Sequence, residues 1–167
     1  MAIIDSSDYL KYMDEHGDII APKKEKNTIS DIQATISNIK LSDKGDEVST
    51  GANKIYGGNG NDTIHVVTGT KFVDAGKGND LINIGVENSK IYAGAGNDTI
   101  YINNTNEYIN AGSGRDVIYG YNLDDKDNAY ATINGGKGES LVVIGKNSAV
   151  REHYVIENGG GKDYILY

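Results

Sequence analysis

The sequence predicts an all-β protein: a parallel solenoid of 18-residue coils stacked one on another behind a small N-terminal helical cap. Three observations carry this. The run Gly57-Gly58-Asn59-Gly60-Asn61-Asp62-Thr63-Ile64-His65 returns at 18-residue intervals, starting again at Ala75, Ala93 and Ala111. Two aliphatic columns keep the same step, one through Ile64, Ile82, Ile100 and Ile118, the other through Ile55, Val73, Ile91 and Ile109. The 167 residues include 22 Gly, one Pro and no Cys, a composition suited to short strands separated by tight turns.

Taken in order, residues 1–33 read as an N-terminal cap or linker and 34–167 as the repeat domain. Ser7 or Asp5 is placed to cap a short helix with Tyr9, Leu10, Tyr12 and Met13 on one face, Gly17 as a stop and Pro22 beyond it. The segment Ala34 to Leu41 alternates apolar and polar residues and predicts the first strand of the solenoid; Ser42 to Val48 resembles a degraded first loop. From there each coil has two short strands. Further inward positions fall at Val66, Ile84 and Ile102, and at the small residues Gly57, Ala75, Ala93 and Ala111.

The turn opposite each glycine-aspartate loop is unlike it. Residues 68–71, 86–89 and 103–106 are polar and carry no fixed acid. Loops 18 residues apart lie on the same edge of the stack, so the object is expected to be one-sided. Toward the C-terminus the period breaks. The loop at 135–143 comes 24 residues on, the extra length falling in an expected bulged turn at 121–128, and Ser140 replaces the acid. A last copy at 159–166 recovers Asp163 with no loop after it. About five or six coils are expected, and an ending inside a repeat is what a piece of something longer would show.

With 24 acidic against 16 basic side chains and a formal charge of −8, the balance argues against nucleic acid and for cations. Lack of cysteine removes disulfides and Cys-based zinc sites. Residues 1–17 have no basic n-region and no apolar stretch long enough for a signal peptide or membrane span. His16, His65 and His153 have no second ligand at a useful spacing and read as surface residues. No enzyme is signalled.

Calcium takes roughly six to eight hard oxygen ligands in a forgiving geometry. A glycine-rich loop can turn its carbonyls inward while one carboxylate supplies charge, but a single loop offers too few ligands. Sites are therefore expected between successive loops, shared by Asp62 with Asp80, Asp80 with Asp98, and Asp98 with Asp116, for about three ions. Carboxylates stacked in this way repel until a divalent ion lies between them. Asp43 and Asp46 are candidates for an extra site beneath the first loop.

These residues resemble the RTX (repeats-in-toxin) nonapeptide, Gly-Gly-x-Gly-x-Asp-x-aliphatic-x. Four copies match at the second Gly, the fourth-position Gly, the Asp and the aliphatic residue over about 57–119, and weaker copies extend over most of 42–166. The resemblance implies a right-handed parallel β-roll or β-helix of the hemolysin type. It implies Ca²⁺ held between adjacent turns by the loops of Gly58, Gly60, Gly76, Gly78, Gly94, Gly96, Gly112 and Gly114 and by Asp62, Asp80, Asp98 and Asp116. It also implies a secreted or cell-surface bacterial protein, exported by type I secretion through an uncleaved C-terminal signal and folding on calcium outside the cell.

The chain departs from the family pattern in three ways. Only every second turn carries the nonapeptide, alanine replaces the first Gly in three copies, and Arg115 stands where other copies have Asn, where it should screen its site without abolishing it. The expected role is structural support within a larger exported toxin, adhesin or surface-layer component, its partners being calcium ions and the rest of that parent. A second reading is a binding module. The outward columns His65, Asn83, Tyr101, Tyr119 and Tyr56, Asp74, Tyr92, Asn110 form an aromatic and amide face suited to a glycan or cell-surface ligand. An enzymatic reading needs a cleft of acids and bases, and the sequence offers only the metal loops.

Overall fold

Strict alternation about each isoleucine column is what a half-buried strand needs, and the step of 18 puts successive strands in register. In the computed structural model, residues 1–32, 35–104, 106–120, 130–145, 153–157 and 159–166 are described, and their strands form two parallel sheets. The chain visits the sheets alternately, giving one of nine strands and one of eight. Thr63 pairs with Leu81, Leu81 with Thr99 and Thr99 with Val117 in the first sheet. Phe72, Lys90 and Tyr108 align in the second. This is a parallel β-roll. Its strands make more coils than the five or six expected, because the fold begins well before residue 34.

Both aliphatic columns point inward. Ile64, Ile82, Ile100, Ile118, Ile55, Val73, Ile91 and Ile109 are all fully buried, as are Ile84 and Ile102 beside the plain edge, opposite the glycine-aspartate loops. Burying each such side chain contributes roughly 1.5–3 kcal/mol. Ala75, Ala93 and Ala111 are equally buried and small enough for the loop to fold over them.

The N-terminal helical cap is corrected. Ala2–Ile4 and Asn27–Ser30 are strands of the first sheet and Ile19–Ile20 a strand of the second, so residues 2–30 already form coil. Only Tyr9–Lys11 is helical, one 3-10 turn. The reason is local. Asp5 Oδ1 accepts from both the amide and the hydroxyl of Ser7, and Asp14 Oδ1 accepts from the amides of His16 and Asp18. These turns compete with helix over a segment too short to nucleate well. The expected apolar face survives in part: Tyr9, Tyr12 and Met13 pack against the core, while Leu10 is 69% exposed. Gly17 stops the segment at φ +78°.

Burial differs between the first and last described strands. Ile4 in the first strand is fully buried, whereas Ile165 in the last is 41% exposed. The bulged turn expected at 121–128 lies outside the described residues.

Candidate metal centre

The second and fourth-position glycines of the four loops, from Gly58 and Gly60 to Gly112 and Gly114, all have a positive φ, from 94° at Gly58 to 139° at Gly96, backbone that L side chains rarely adopt. Packing adds a second requirement. A Cβ on Gly78 would run into the carbonyl oxygen of Gly60, and one on Gly96 into that of Gly78. Successive loops therefore touch backbone to backbone, with carbonyl oxygens lining the space between them.

The fixed aspartates point into the stack. Asp62, Asp98 and Asp116 are 1% exposed and Asp80 2%. Each gives one oxygen to the coil before it: the Asp62 amide donates to Asp80 Oδ1 at 2.8 Å, the Asp80 amide to Asp98 Oδ1 at 2.8 Å, and the Asp98 amide to Asp116 Oδ1 at 3.0 Å. The second oxygen, Oδ2, of all four is buried without a hydrogen-bond partner. Burial is the main cause that lifts these carboxyls above the usual range, to about 8 for Asp62, about 7 for Asp98 and about 6 for Asp80 and Asp116. The ladder amides pull the other way, and the neighbouring aspartates add to the rise at Asp62 and Asp98.

The ladder continues where the sequence showed no spacing for it. The Asp46 amide donates to Asp62 Oδ1 at 2.6 Å, across 16 residues. Asp46 is itself 1% exposed, but its carboxylate is filled by protein donors, with Oδ1 accepting from Asn27 and Oδ2 from the Ser42 amide. Asp43, the other candidate beneath the first loop, instead accepts from the Asn59 side chain at the surface. Asp46 is thus satisfied by protein, where the four aspartates above it are half satisfied.

A second ladder runs outside the first in the opposite sense. The amides of Asn79, Asn97 and Arg115 donate to the side-chain oxygens of Asn61, Asn79 and Asn97 on the preceding coil, at 2.8, 2.8 and 2.9 Å. Arg115 ends it. Its guanidinium points outward to Glu139 at 3.0 Å and leaves Asp116 buried. Ser140 takes the acid's place in register with Asp116 and Asp163, and its hydroxyl donates to the Gly135 carbonyl. Burial raises the Asp163 carboxyl, and the Ser140 hydroxyl beside it offsets part of that rise.

These features fit calcium. The unpartnered Oδ2 atoms, the carbonyl-lined gaps and the absence of any soft ligand make a set of hard oxygens. Among the described residues no three carboxylate, imidazole or thiol groups converge, so an ion here would take two aspartates and complete its shell from loop carbonyls. His16 is exposed and His65 lies on the outer face of the first sheet, 3.5 Å from the Asn83 amide; the side chain of His153 lies outside the described residues.

A parallel solenoid with a ladder of buried, half-satisfied carboxylates along one glycine-lined edge is a calcium-binding repeat domain. The family model for the RTX calcium-binding nonapeptide repeat (4 copies) matches residues 47–70, 74–103 and 101–125. Residues 47–125 thus carry the repeat of that family, a structural, calcium-binding one. No curated protein and no solved structure matches the chain. Among the described residues no helix is long and apolar enough to cross a membrane.

Proposed function

We propose that this chain is a calcium-assembled scaffold within a larger exported bacterial protein, such as a toxin, adhesin or surface-layer component. About three ions lie between the four loops, held by Asp62, Asp80, Asp98 and Asp116 and the loops of Gly58, Gly60, Gly76, Gly78, Gly94, Gly96, Gly112 and Gly114. The coil formed by residues 2–30 closes the N-terminal end of the repeats that follow from 34 to 167. The observation that carries this reading is the column of buried Oδ2 atoms without partners. Four such carboxylates strain a fold that lacks a cation and stabilise one that has it. Outside the cell calcium is abundant, and type I export of an unfolded chain fits this dependence.

The test is a calcium titration of the EDTA-stripped chain, followed by far-ultraviolet circular dichroism and heat of binding together, with magnesium as control. A transition to β-structure at about three ions per chain, absent with magnesium, is expected. A chain that binds no calcium would sink the proposal.

A second reading rests on the outer face of the second sheet. Tyr56, Phe72, Tyr92 and Tyr108 form a continuous stripe with ring centroids 5.8, 5.6 and 6.0 Å apart. Beside it lie two shallow grooves of ≈ 420 and ≈ 500 Å³, lined by the stripe, Asp74, Asn110 and loop glycines. Rings next to amides and a carboxylate suit a glycan. An array of purified polysaccharides is expected to yield a binder that Phe72→Ala with Tyr92→Ala releases at unchanged calcium stoichiometry; no binder on the array removes this reading. On the first sheet, Tyr101 and Tyr119 stack at 5.0 Å and 11°, which stabilises the ladder.

A further inference from the structure

The outer face of the second sheet carries a charge pattern as well as a stripe of rings. Its outward positions form two columns across the coils. Lys54, Phe72, Lys90 and Tyr108 are paired in register along one, and Tyr56, Asp74, Tyr92 and Asn110 along the other. Beyond the second column the next outward positions are glycines, with Gly76 and Gly94 in register, so no side chain stands there. The two grooves run over these glycines and make one strip along the stack.

The pattern repeats every two coils. A lysine stands beside a tyrosine on one coil, Lys54 with Tyr56, and again two coils on, Lys90 with Tyr92; on the coil between them Phe72 stands beside Asp74. Lys54 and Lys90 are exposed, and among the described residues neither forms an ion pair. Lys77 lines the same groove as Asp74, on the same coil, and offsets its charge. What remains on the strip is positive, one lysine on every second coil, in a chain whose formal charge is −8. Strands about 4.8 Å apart place the two lysines about 10 Å apart along the stack. A linked pyranose is about as long as one coil is tall, so a linear polysaccharide laid along the strip presents one sugar to each coil.

We propose that this strip binds a linear polysaccharide in which acidic and neutral sugars alternate. The proposal rests on the glycan reading above and names the class of glycan. The carboxylate of every second sugar meets Lys54 or Lys90, whose long stems carry the charge out past the rings. Sugar faces lie against the rings of Tyr56, Phe72 and Tyr92, and sugar hydroxyls meet Asp74 and Asn110. Charge complementarity favours this occupant over a neutral chain. Spacing favours it over a uniformly acidic one, whose intervening carboxylates meet a coil where Asp74 and Lys77 cancel and add only repulsion from an acidic protein. The floor of the strip is the outer side of the calcium loops, so the strip is complete once those loops are stacked.

The test is titration calorimetry of the full-length chain at saturating calcium with three size series of oligosaccharides. Hyaluronan fragments alternate uronate and neutral sugars, oligogalacturonates are acidic at every sugar, and chito-oligosaccharides are neutral. Hyaluronan fragments are expected to bind most tightly, to gain about tenfold from two sugars to four, and to level off once the four coils are covered. Lys54→Gln with Lys90→Gln is expected to weaken them about tenfold, to the level of the neutral series, at unchanged calcium stoichiometry. Lys23→Gln with Lys24→Gln, an equal change of charge at exposed positions outside the strip, is expected to leave binding as it is. Equal or tighter binding of either other series, or equal losses in the two lysine variants, overturns the proposal and leaves the glycan reading standing. Hyaluronan fragments that do not bind overturn it too, and the polysaccharide array then decides the glycan reading by itself.

Discussion

Replacing both Asp80 and Asp98 with alanine is expected to abolish the calcium-driven transition to β-structure, because the two residues between them touch every gap between the four loops. Asp80 faces the gap to Asp62 and the gap to Asp98, and Asp98 faces those to Asp80 and Asp116. Alanine also strands the amides of Asp62 and Asp80, which lose their acceptors in a buried site, at roughly 1–3 kcal/mol each. Asparagine separates the two effects. Asp80→Asn with Asp98→Asn keeps an oxygen for each ladder amide and removes two buried charges, so the calcium-free fold is expected to be at least as stable as wild type while its response to calcium is lost. Urea midpoints with and without calcium read both quantities. A double alanine variant that still folds on calcium would mean that carbonyls alone bind the ions.

The calcium-free fold is expected to be most stable near pH 4–5 and to weaken steadily up to pH 8. An aspartate in the unfolded chain titrates near about 3.9. In the fold, Asp80 and Asp116 titrate at about 6, Asp98 at about 7 and Asp62 at about 8. Between those limits the folded state binds more protons than the unfolded one, so stability is fully present below the unfolded value and is lost as pH rises through the folded ones. One pKa unit is about 1.4 kcal/mol, which makes the loss roughly 3–6 kcal/mol per group. The four groups act in the same direction, so the loss toward pH 8 is a large part of what a typical domain has to spare. The calcium-free chain is therefore expected to be unfolded at pH 8 and to regain β-structure on acidification. Calcium removes the penalty by taking the place of the protons, so binding to the acid-folded form releases them and its heat varies with the ionisation enthalpy of the buffer. A calcium-free stability that is flat or rising from pH 5 to 8 would contradict this account.

The repeat was legible because one physical demand, stacking, acts on every coil alike. Isoleucine every 18 residues, glycine where loops touch and aspartate where they face each other are three traces of it, and Ile82, Gly78 and Asp80 sit as their spacing requires. What the sequence hid were coils that meet the same demand by other means. Ala2–Ile4 and Asn27–Ser30 pair without a glycine loop, and their coil is closed by the Asp5 and Asp14 turns, the first of which reads locally as a helix cap. Asp46 is 16 residues from Asp62, so a search at 18 passes over it. Glu107, buried at 1% exposure on the plain edge, was hidden for another reason. A glutamate after three asparagines in a polar turn reads as surface, and only the positive φ of Asn106 turns it inward. The recurrence of a residue with positive φ before Thr70, Ser89 and Glu107 was the available signal, and it lay in conformation more than in residue type.

The ladder of aspartates also sets how ions approach the edge. In water, two unit charges interact with an energy equal to thermal energy at about 7 Å. Parallel strands place successive carboxylates about 4.8 Å apart. A row of charges spaced more closely than that distance gathers counterions along its whole length, as the DNA backbone does. Where its aspartates are ionised, the glycine-aspartate edge is thus a short polyelectrolyte as well as a set of separate cages. It draws divalent ions in preference to sodium before any cage closes, and added salt is expected to slow calcium capture more than it weakens calcium once held.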